Sequence, residues 1–401
     1  MSRLLAGMTG GVDSSMAARL LQHDGHEVVG ATLLLYPCPR EEARVEAARG
    51  VCEKLGIEHV TVDARERFSR QVLAPFTEAL RAGRVPNPYM LWTAPLLVSA
   101  LLEQAQLLGC DGAATGHYAG IEGKYGAGDA AADGTAHGGA GAAAAGGMDA
   151  AVAPDAPVAR AAGAGAGGPG ALLPLRLVRA ADAFHDESYY LYSLGQDALV
   201  RLRFPLHAMA KPIARRMAMR EGLMPLSPLL DDYDPFFLDG KPAYEWAREA
   251  AGVDDAPGPV VVLGAAESAP QMRHGGLLRY EPGGKFPDAR AADGGPLFVV
   301  AKDAASRTLY VGPAALSATE SCLVDEVVWT SVEPPVQKAG QTRSCKVKTS
   351  WGAKAVPAKL SFAGTGRVMV SFSEARRGVE PGATCVFYSD ALVLGGGRIV
   401  G

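Results

Sequence analysis

Nine residues near the N-terminus carry the densest chemistry of the chain: Gly7-Met8-Thr9-Gly10-Gly11-Val12-Asp13-Ser14-Ser15. They follow a short apolar strand, Leu4 to Ala6. They open a helix over Asp13 to Gln22, with Met16, Ala17, Leu20 and Leu21 on one side. A strand, a glycine loop and a helix in that order make a phosphate site. Gly10 and Gly11 let the backbone approach an anion, which the successive N–H groups and the helix N-terminus then face. Ser14 and Ser15 add hydroxyl donors, and Asp13 can hold Mg²⁺ on the phosphates or order the loop. No lysine follows in the G-x-x-x-x-G-K-[ST] position, so this is not that loop. A tight turn with a serine-capped helix is the plainer alternative. The full run of polar side chains at a strand end favours phosphate.

The elements that must position this loop alternate. Glu27 to Leu35 is nearly continuous in Val, Ala, Leu and Thr, as a buried parallel strand should be. Glu41 to Leu55 reads as a helix closed by Gly56, and His59 to Asp63 as a third strand. Pro95 to Leu108 reads as an apolar helix, and Gly112 to Tyr118 as a fourth strand with a loop behind it. The alternation predicts an α/β doubly wound parallel sheet with its ligand at the C-terminal ends of the strands. Between Gly126 and Ala171, 20 of 46 residues are Ala and 13 are Gly, a low-complexity insertion with almost nothing to bury. Order resumes with a strand over Leu172 to Ala180 and helices over Ser188 to Leu199 and Pro212 to Glu221. Beyond Pro259, short strands between Gly, Pro and Asp turns predict one or two small β-barrels.

At 401 residues, two or three domains are expected. The expected division has a nucleotide domain over 1–123, continuing after the 124–171 insertion to about 225. A small central domain of α/β type follows over 226–296, and a C-terminal β-barrel over 297–401. No apolar run reaches the ~20 residues of a membrane helix, and the N-terminus lacks a signal-peptide pattern. The six cysteines, Cys38, Cys52, Cys110, Cys322, Cys345 and Cys385, contain no C-x-x-C pair. That excludes common zinc and iron–sulfur spacings and predicts a reduced, cytoplasmic protein. A net charge of −4 excludes a general polyanion binder and leaves local patches for any RNA contact.

The loop resembles the S-G-G-x-D-S loop of adenylating enzymes that split ATP into AMP and pyrophosphate, with Thr9 where Ser is usual. Five further segments narrow the resemblance: Arg84-Val85-Pro86-Asn87-Pro88, Ala114-Thr115-Gly116-His117-Tyr118-Ala119, Asp186-Glu187-Ser188-Tyr189-Tyr190-Leu191-Tyr192, Phe204-Pro205-Leu206 with Lys211-Pro212, and Val393-Leu394-Gly395-Gly396-Gly397-Arg398-Ile399. Together they are similar to the motifs of the bacterial tRNA 2-thiouridylases, the MnmA-like family, across the chain outside the Ala/Gly insertion. The resemblance implies ATP and Mg²⁺ as cofactors, and tRNA as partner through its anticodon wobble uridine. The uracil C2 oxygen would be adenylated, then replaced by sulfur from a cysteine persulfide with a second cysteine completing the transfer. It implies ATP contacts at Gly7, Met8, Thr9, Gly10, Gly11, Val12, Asp13, Ser14, Leu33 and Gly116. On tRNA it implies Asn87 and Pro88 near the target base, with His117, His185, Asp186, Glu187 and Lys354 facing the RNA.

The sequence departs from the family where sulfur should be handled. Trp92 stands at the position of the nucleophilic cysteine after Asn-Pro. The segment around Phe236 stands where a G-I-C-F-I segment would carry the second. Neither Trp nor Phe can hold a persulfide, which needs an ionisable thiol. Cys38, at a strand end beside Arg40, is the candidate substitute, with Arg40 expected to lower its pKa. The family's amide before Ser-Tyr is a carboxylate here, Glu187. Lys338, Arg343, Lys346, Lys348, Lys354 and Lys359 form an acid-free 22-residue stretch that can neutralise phosphates or be a solvated barrel face. Trp92 and Trp351 could stack on a splayed base or be core. The expected function is ATP-dependent tRNA-uridine 2-sulfurtransfer, fed by a sulfur-carrier protein or sulfurtransferase. The alternatives are a paralog that binds ATP or RNA without persulfide chemistry, and an adenylating enzyme with a different acceptor, supplied by free sulfide or a separate sulfur-carrier protein.

Overall fold

A computed structural model describes residues 1–123, 149–151 (backbone only), 171–224, 235–264 and 272–400. In chain order the first elements are β1 (Arg3–Gly7), α1 (Val12–His23), β2 (Glu27–Leu34), α2 (Pro39–Leu55) and β3 (His59–Asp63). Then come α3 (Arg65–Phe68), α4 (Ala74–Arg81), α5 (Tyr89–Trp92), α6 (Ser99–Leu107), β4 (Gly112–Ala114), β5 (Ala119–Gly123), β6 (Asp149–Ala151) and β7 (Leu175–Arg179). They are followed by α7 (Gln196–Arg201), β8 (Leu202–Arg203), α8 (Lys211–Arg220) and α9 (Ala243–Glu249).

The nucleotide-type sheet runs β6-β3-β2-β1-β4-β8, every pairing parallel. Alternation along β1 serves two cores. Leu4 and Ala6 pack with Met16, Leu21, Cys52 and Ala214 beneath α1, α2 and α8. Leu5 packs with Phe76, Leu101 and Leu102 of α4 and α6 on the other face. Both faces of β2 are therefore covered, which is why its sequence is nearly unbroken apolar.

Three local expectations change. The helix expected over Pro95 to Leu108 starts earlier, at Tyr89, and passes through a wide π-helical segment, Thr93–Val98, before α6. Pro95 cannot donate a backbone hydrogen bond, and the wider turn accommodates it. The helix expected over Ser188 to Leu199 is instead a 3₁₀ turn, Ser188–Leu191, and then α7. Extended Gly195 separates them, and the buried Tyr189 and Tyr190 hold the first turn in the core. The Ala/Gly insertion, a low-complexity segment to which no strand was assigned, contributes β6 as an edge strand on β3. The rest of that insertion and Asp231 to Asp234 lie outside the described residues.

The C-terminal strands are β9 (Gly258–Val262), β10 (Met272–His274), β11 (Lys285–Arg290), β12 (Pro296–Asp303), β13 (Thr308–Gly312), β14 (Ala318–Trp329), β15 (Thr342–Lys348), β16 (Val356–Phe362), β17 (Val368–Arg377), β18 (Thr384–Ser389) and β19 (Leu392–Ile399). The first five form an open sheet, β10-β9-β13-β12-β11, around Phe286, Leu297, Leu309 and Val311. It joins strands from both sides of residue 296, where the barrel was expected to begin. The last six close into a barrel, with β14 paired to both β17 and β19. Only one of the two possible barrels therefore forms. The hairpin of β5 and β7 extends the barrel sheet beside β19, tying the two ends of the chain together.

Candidate functional site

The glycine loop is built by its own short hydrogen bonds. Ser14 Oγ lies 3.0 Å from Thr9 Oγ1, accepts from Thr9 N at 3.1 Å and reaches Gly11 O at 3.2 Å. Ser15 is fully buried and its hydroxyl donates to Gly11 O at 2.7 Å, so it staples the loop rather than offering a donor to a ligand. Gly10 has φ of +76°, the left-handed region, and a Cβ there would sit 2.6 Å from Ala47 Cβ on α2. A Cβ on Gly116 would sit 2.7 Å from Asp13 C and Ser14 N. The loop after β4 is therefore laid directly on the backbone of the first turn of α1.

A cavity of about 240 Å³ opens over this loop at the C-terminal ends of β1, β2 and β4. Gly7, Met8, Thr9, Gly11, Asp13, Ser14, Leu33 and Gly116, eight of the ten residues at which the resemblance implies ATP contacts, line it. Gly10 and Val12 do not: Gly10 is packed on α2, and the Val12 side chain is buried in the core below. The N-terminus of α1, whose cap is the side-chain-free Gly11, faces the cavity and favours an anion there.

Lys211 reaches this helix end. Lys211, the first residue of α8, places Nζ 2.9 Å from Asp13 Oδ2, while Tyr118 Oη donates to Asp13 Oδ1 at 2.7 Å. Sequence reading left Lys211 without a role, and its only signal was the spacing after Phe204-Pro205-Leu206. Both oxygens of Asp13 are thus engaged. Among the described residues no group of three His, Cys, Asp or Glu is placed to hold a metal. The carboxylate offered for Mg²⁺ or for ordering the loop holds Lys211 and Tyr118. The donor set fits a metal held mainly by nucleotide phosphates and water, not by a protein cage.

His117 and Glu187, expected to face RNA, line this cavity. His117 Nδ1 lies 2.8 Å from Thr115 Oγ1, and burial depresses its pKa to about 4, so the ring is neutral at pH 7. Glu187 Oε2 accepts from Tyr118 N at 2.9 Å. Burial, with the nearby Asp13 charge, pushes its carboxyl up to about 8 from an ordinary 4.5. The folded chain therefore binds a proton here that the unfolded chain releases. Stability from this group is whole below the unfolded value and is lost as pH rises from 4.5 through about 8. Glu187→Gln should flatten that decline, worth at most about 1.4 kcal/mol per pH unit. Denaturation midpoints at pH 6 and pH 8 measure it, and equal slopes for both proteins would remove the assignment.

The opposite wall is aromatic. Trp92 and Phe236, the two positions where the family's cysteines are expected, meet with ring centroids 5.1 Å apart. Phe68 packs on both, at 5.9 and 5.6 Å, and Tyr89 meets Trp92 at 4.8 Å. Trp92, Tyr89 and Phe236 all line the cavity. Sequence positions 144 apart thus come together as a relay would require, with rings in place of thiols. Arg40 and Arg44 line the same side, and Arg44 is held by the buried Glu41 at 2.6 Å.

Cys38 caps the N-terminus of α2 and does not line the cavity. Its thiol is raised above the ordinary value, first by burial and also by the Glu41 carboxylate. The expected lowering by the Arg40 charge is not found: only the backbone N–H groups of Glu41 and Arg40 lower the thiol, and burial outweighs them.

The residues implied to meet tRNA divide. Asn87 is exposed, and its Oδ1 accepts from Tyr89 N at 3.0 Å, turning the chain into α5; Pro88 is buried beside it. His185 is held by Asp182 at 2.8 Å. Asp186 faces inward, buried and paired with Arg179 at 2.7 Å, so its carboxylate anchors the framework. Lys354 is exposed beyond β15, and Lys346 and Lys359 project outward from β15 and β16. Lys348 leaves the expected basic stripe, because it is buried over the Tyr189 ring and its pKa is lowered by desolvation. Trp351 stacks on Tyr190 at 5.9 Å and donates Nε1–H to Asp186 O, so it is part of the framework.

Comparison with known proteins agrees with this geometry. The family model described as the tRNA methyl transferase HUP domain matches residues 2–133 and 173–228. The model described as the aminomethyltransferase beta-barrel domain matches residues 319–399. A tRNA-specific 2-thiouridylase MnmA of Roseiflexus sp. is 35% identical, with all of this chain and 99% of the relative covered. Those of Chloroflexus aggregans and Syntrophotalea carbinolica are 32% and 31% identical, with 100% and 99% of this chain and 98% of each relative covered. No described helix is long and apolar enough to cross a membrane. A glycine loop at the mouth of a doubly wound sheet, a closed C-terminal barrel and full-length identity above 30% place this chain in the tRNA-specific 2-thiouridylase family.

Proposed function

We propose that this chain is an ATP-dependent tRNA-uridine 2-sulfurtransferase acting on the wobble uridine from the cytoplasm. ATP would lie in the cavity with its phosphates against Thr9, Gly11, Ser14 and the N-terminus of α1, and Mg²⁺ would ride on those phosphates. Lys211 offers positive charge where pyrophosphate forms, and Asp13 and Tyr118 hold it there. The uracil C2 oxygen attacks the α-phosphorus as pyrophosphate leaves, giving a C2-adenylate from which a sulfur nucleophile then displaces AMP. The observation that supports this reading is the Asp13–Lys211 pair beside the glycine loop, with Gly116 laid on the loop's backbone.

Residues 1–123 and about 172–225 form the nucleotide unit in this proposal. The central unit extends from 226 to about 313, because β12 and β13 pair with β9 and β11, and the barrel follows. The sulfur would enter from outside the chain, through a sulfur-carrier protein, a sulfurtransferase or a free sulfur anion. Incubation with ATP, Mg²⁺ and a tRNA transcript bearing a wobble uridine should release pyrophosphate. A transcript with cytidine at that position should support at least about tenfold less. Equal release with both, or with neither, would sink the proposal.

A further inference from the structure

No thiol lines the cavity. Of the six cysteines, Cys38 is displaced to the cap of α2 with a raised pKa, and Cys52 is buried beneath the sheet at about 12. Cys110 lies just before β4, at the end of the sheet away from the cavity. Cys322, Cys345 and Cys385 belong to the barrel, packed in or against its core. The two places where a relay would sit are filled by Trp92 and Phe236, 5.1 Å apart and braced by Phe68.

Redox bookkeeping then constrains the donor. A persulfide carries its outer sulfur at the sulfane level. Passing it on as C=S needs a second thiol to supply two electrons by taking over the S–S bond. Cys38 alone could not serve as both carrier and resolving thiol. A hydrosulfide anion is already fully reduced and needs no resolving partner.

We infer that this chain uses free hydrosulfide as its direct sulfur substrate, in the pocket between Lys211, Arg44 and the Trp92–Phe236 wall. This rests on the adenylation reading above. HS⁻ adds to C2 of the adenylated uracil, the C2–O bond breaks, and AMP leaves with the electron pair. The S–H proton moves to N3, which gave up its proton on adenylation, and C2=S remains. Sulfur keeps its oxidation level throughout, so no oxidant or reductant enters. Lys211 on one wall and Arg44 beside the aromatic wall supply the cationic groups that attract the anion. The aromatic wall suits a soft, weakly hydrated nucleophile and keeps water, the competing nucleophile, off the C2-adenylate.

The test uses the full chain with ATP, Mg²⁺ and wobble-uridine tRNA, under anaerobic conditions, following pyrophosphate and 2-thiouridine separately. One arm supplies sodium sulfide, and another supplies glutathione persulfide without added thiol. Thiouridine should rise linearly with sulfide at low concentration, and the persulfide arm should be at least about tenfold slower. Cys38→Ser should leave the sulfide-supported rate within about twofold. If serine impairs folding, judged by pyrophosphate release, Cys38→Ala replaces it. Thiouridine formed only from persulfide, or a sulfide rate lost in both Cys38 variants while pyrophosphate persists, would overturn the inference. So would pyrophosphate without thiouridine in sulfide, which leaves adenylation standing. Absence of tRNA-dependent pyrophosphate would overturn the functional reading itself, and the inference with it.

Discussion

Lys211→Ala is expected to slow tRNA-dependent pyrophosphate release by about 10²–10³-fold, the cost of deleting one preorganised charge at a site of developing negative charge. Lys211 sits 2.9 Å from Asp13, largely shielded from water, and is fixed before any ligand arrives. Removing it also leaves Asp13 with Tyr118 as its remaining donor and a net negative charge at the mouth of α1, where phosphates should bind. Stability should fall by about 1–3 kcal/mol, since a charge-assisted hydrogen bond is lost and a half-buried carboxylate is stranded. Two readouts separate chemistry from folding: the pyrophosphate rate and the denaturation midpoint. A companion Asp13→Asn variant keeps Lys211 and loses only its tether. It should impair the rate less than Lys211→Ala if the cation acts on phosphates. Rates for Lys211→Ala within about threefold of the parent would show that the lysine merely braces Asp13.

The second large effect is steric. Gly116→Ala would place a methyl 2.7 Å from Asp13 C and Ser14 N, against backbone atoms that cannot rotate away. The loop after β4 must then lift off the first turn of α1, opening the cradle that receives the phosphates. About 1–3 kcal/mol of stability should be lost to this overpacking. More tellingly, stabilisation by ATP should vanish. The parent should gain about 2.7 kcal/mol at a ligand concentration 100 times its dissociation constant, and the variant close to nothing. Gly50→Ala is the control, since nothing lies within 4 Å of a Cβ there and the position is inside α2. That change should be neutral or stabilising by up to about 1 kcal/mol. An ATP-induced shift preserved in Gly116→Ala would mean the nucleotide lies elsewhere.

The loop and its sheet were legible because their information is local. Gly10, Gly11, Asp13 and Ser14 are contiguous, and the backbone geometry they permit forms within one strand-to-helix turn. The unbroken apolar run of β2 encodes burial on both faces wherever its neighbours come from. The missing thiols were equally plain, since residue identity alone decides that Trp and Phe carry no persulfide.

Other features depended on long-range closure. Asp13 and Lys211 are 198 residues apart, and only the docking of α8 against α1 brings the amine to the carboxylate. Trp92 and Phe236 meet because α5 and the 3₁₀ turn at Phe236–Leu238 pack on the same side of the sheet around Phe68. The resemblance implied an RNA-facing Glu187, and only the fold shows that it lines the cavity, where desolvation sets its proton affinity. The central sheet was hidden because short Val/Leu strands record that they are buried but not with whom they pair. Parallel pairing of β13 with β9 places Leu309 to Val311 outside the barrel that follows. A sequence states directly which groups exist and which local backbone shapes they allow. Which charges neutralise one another, and which surfaces exclude water, is decided only when distant segments close, because desolvation and Coulomb energies depend on distances that the chain order does not contain.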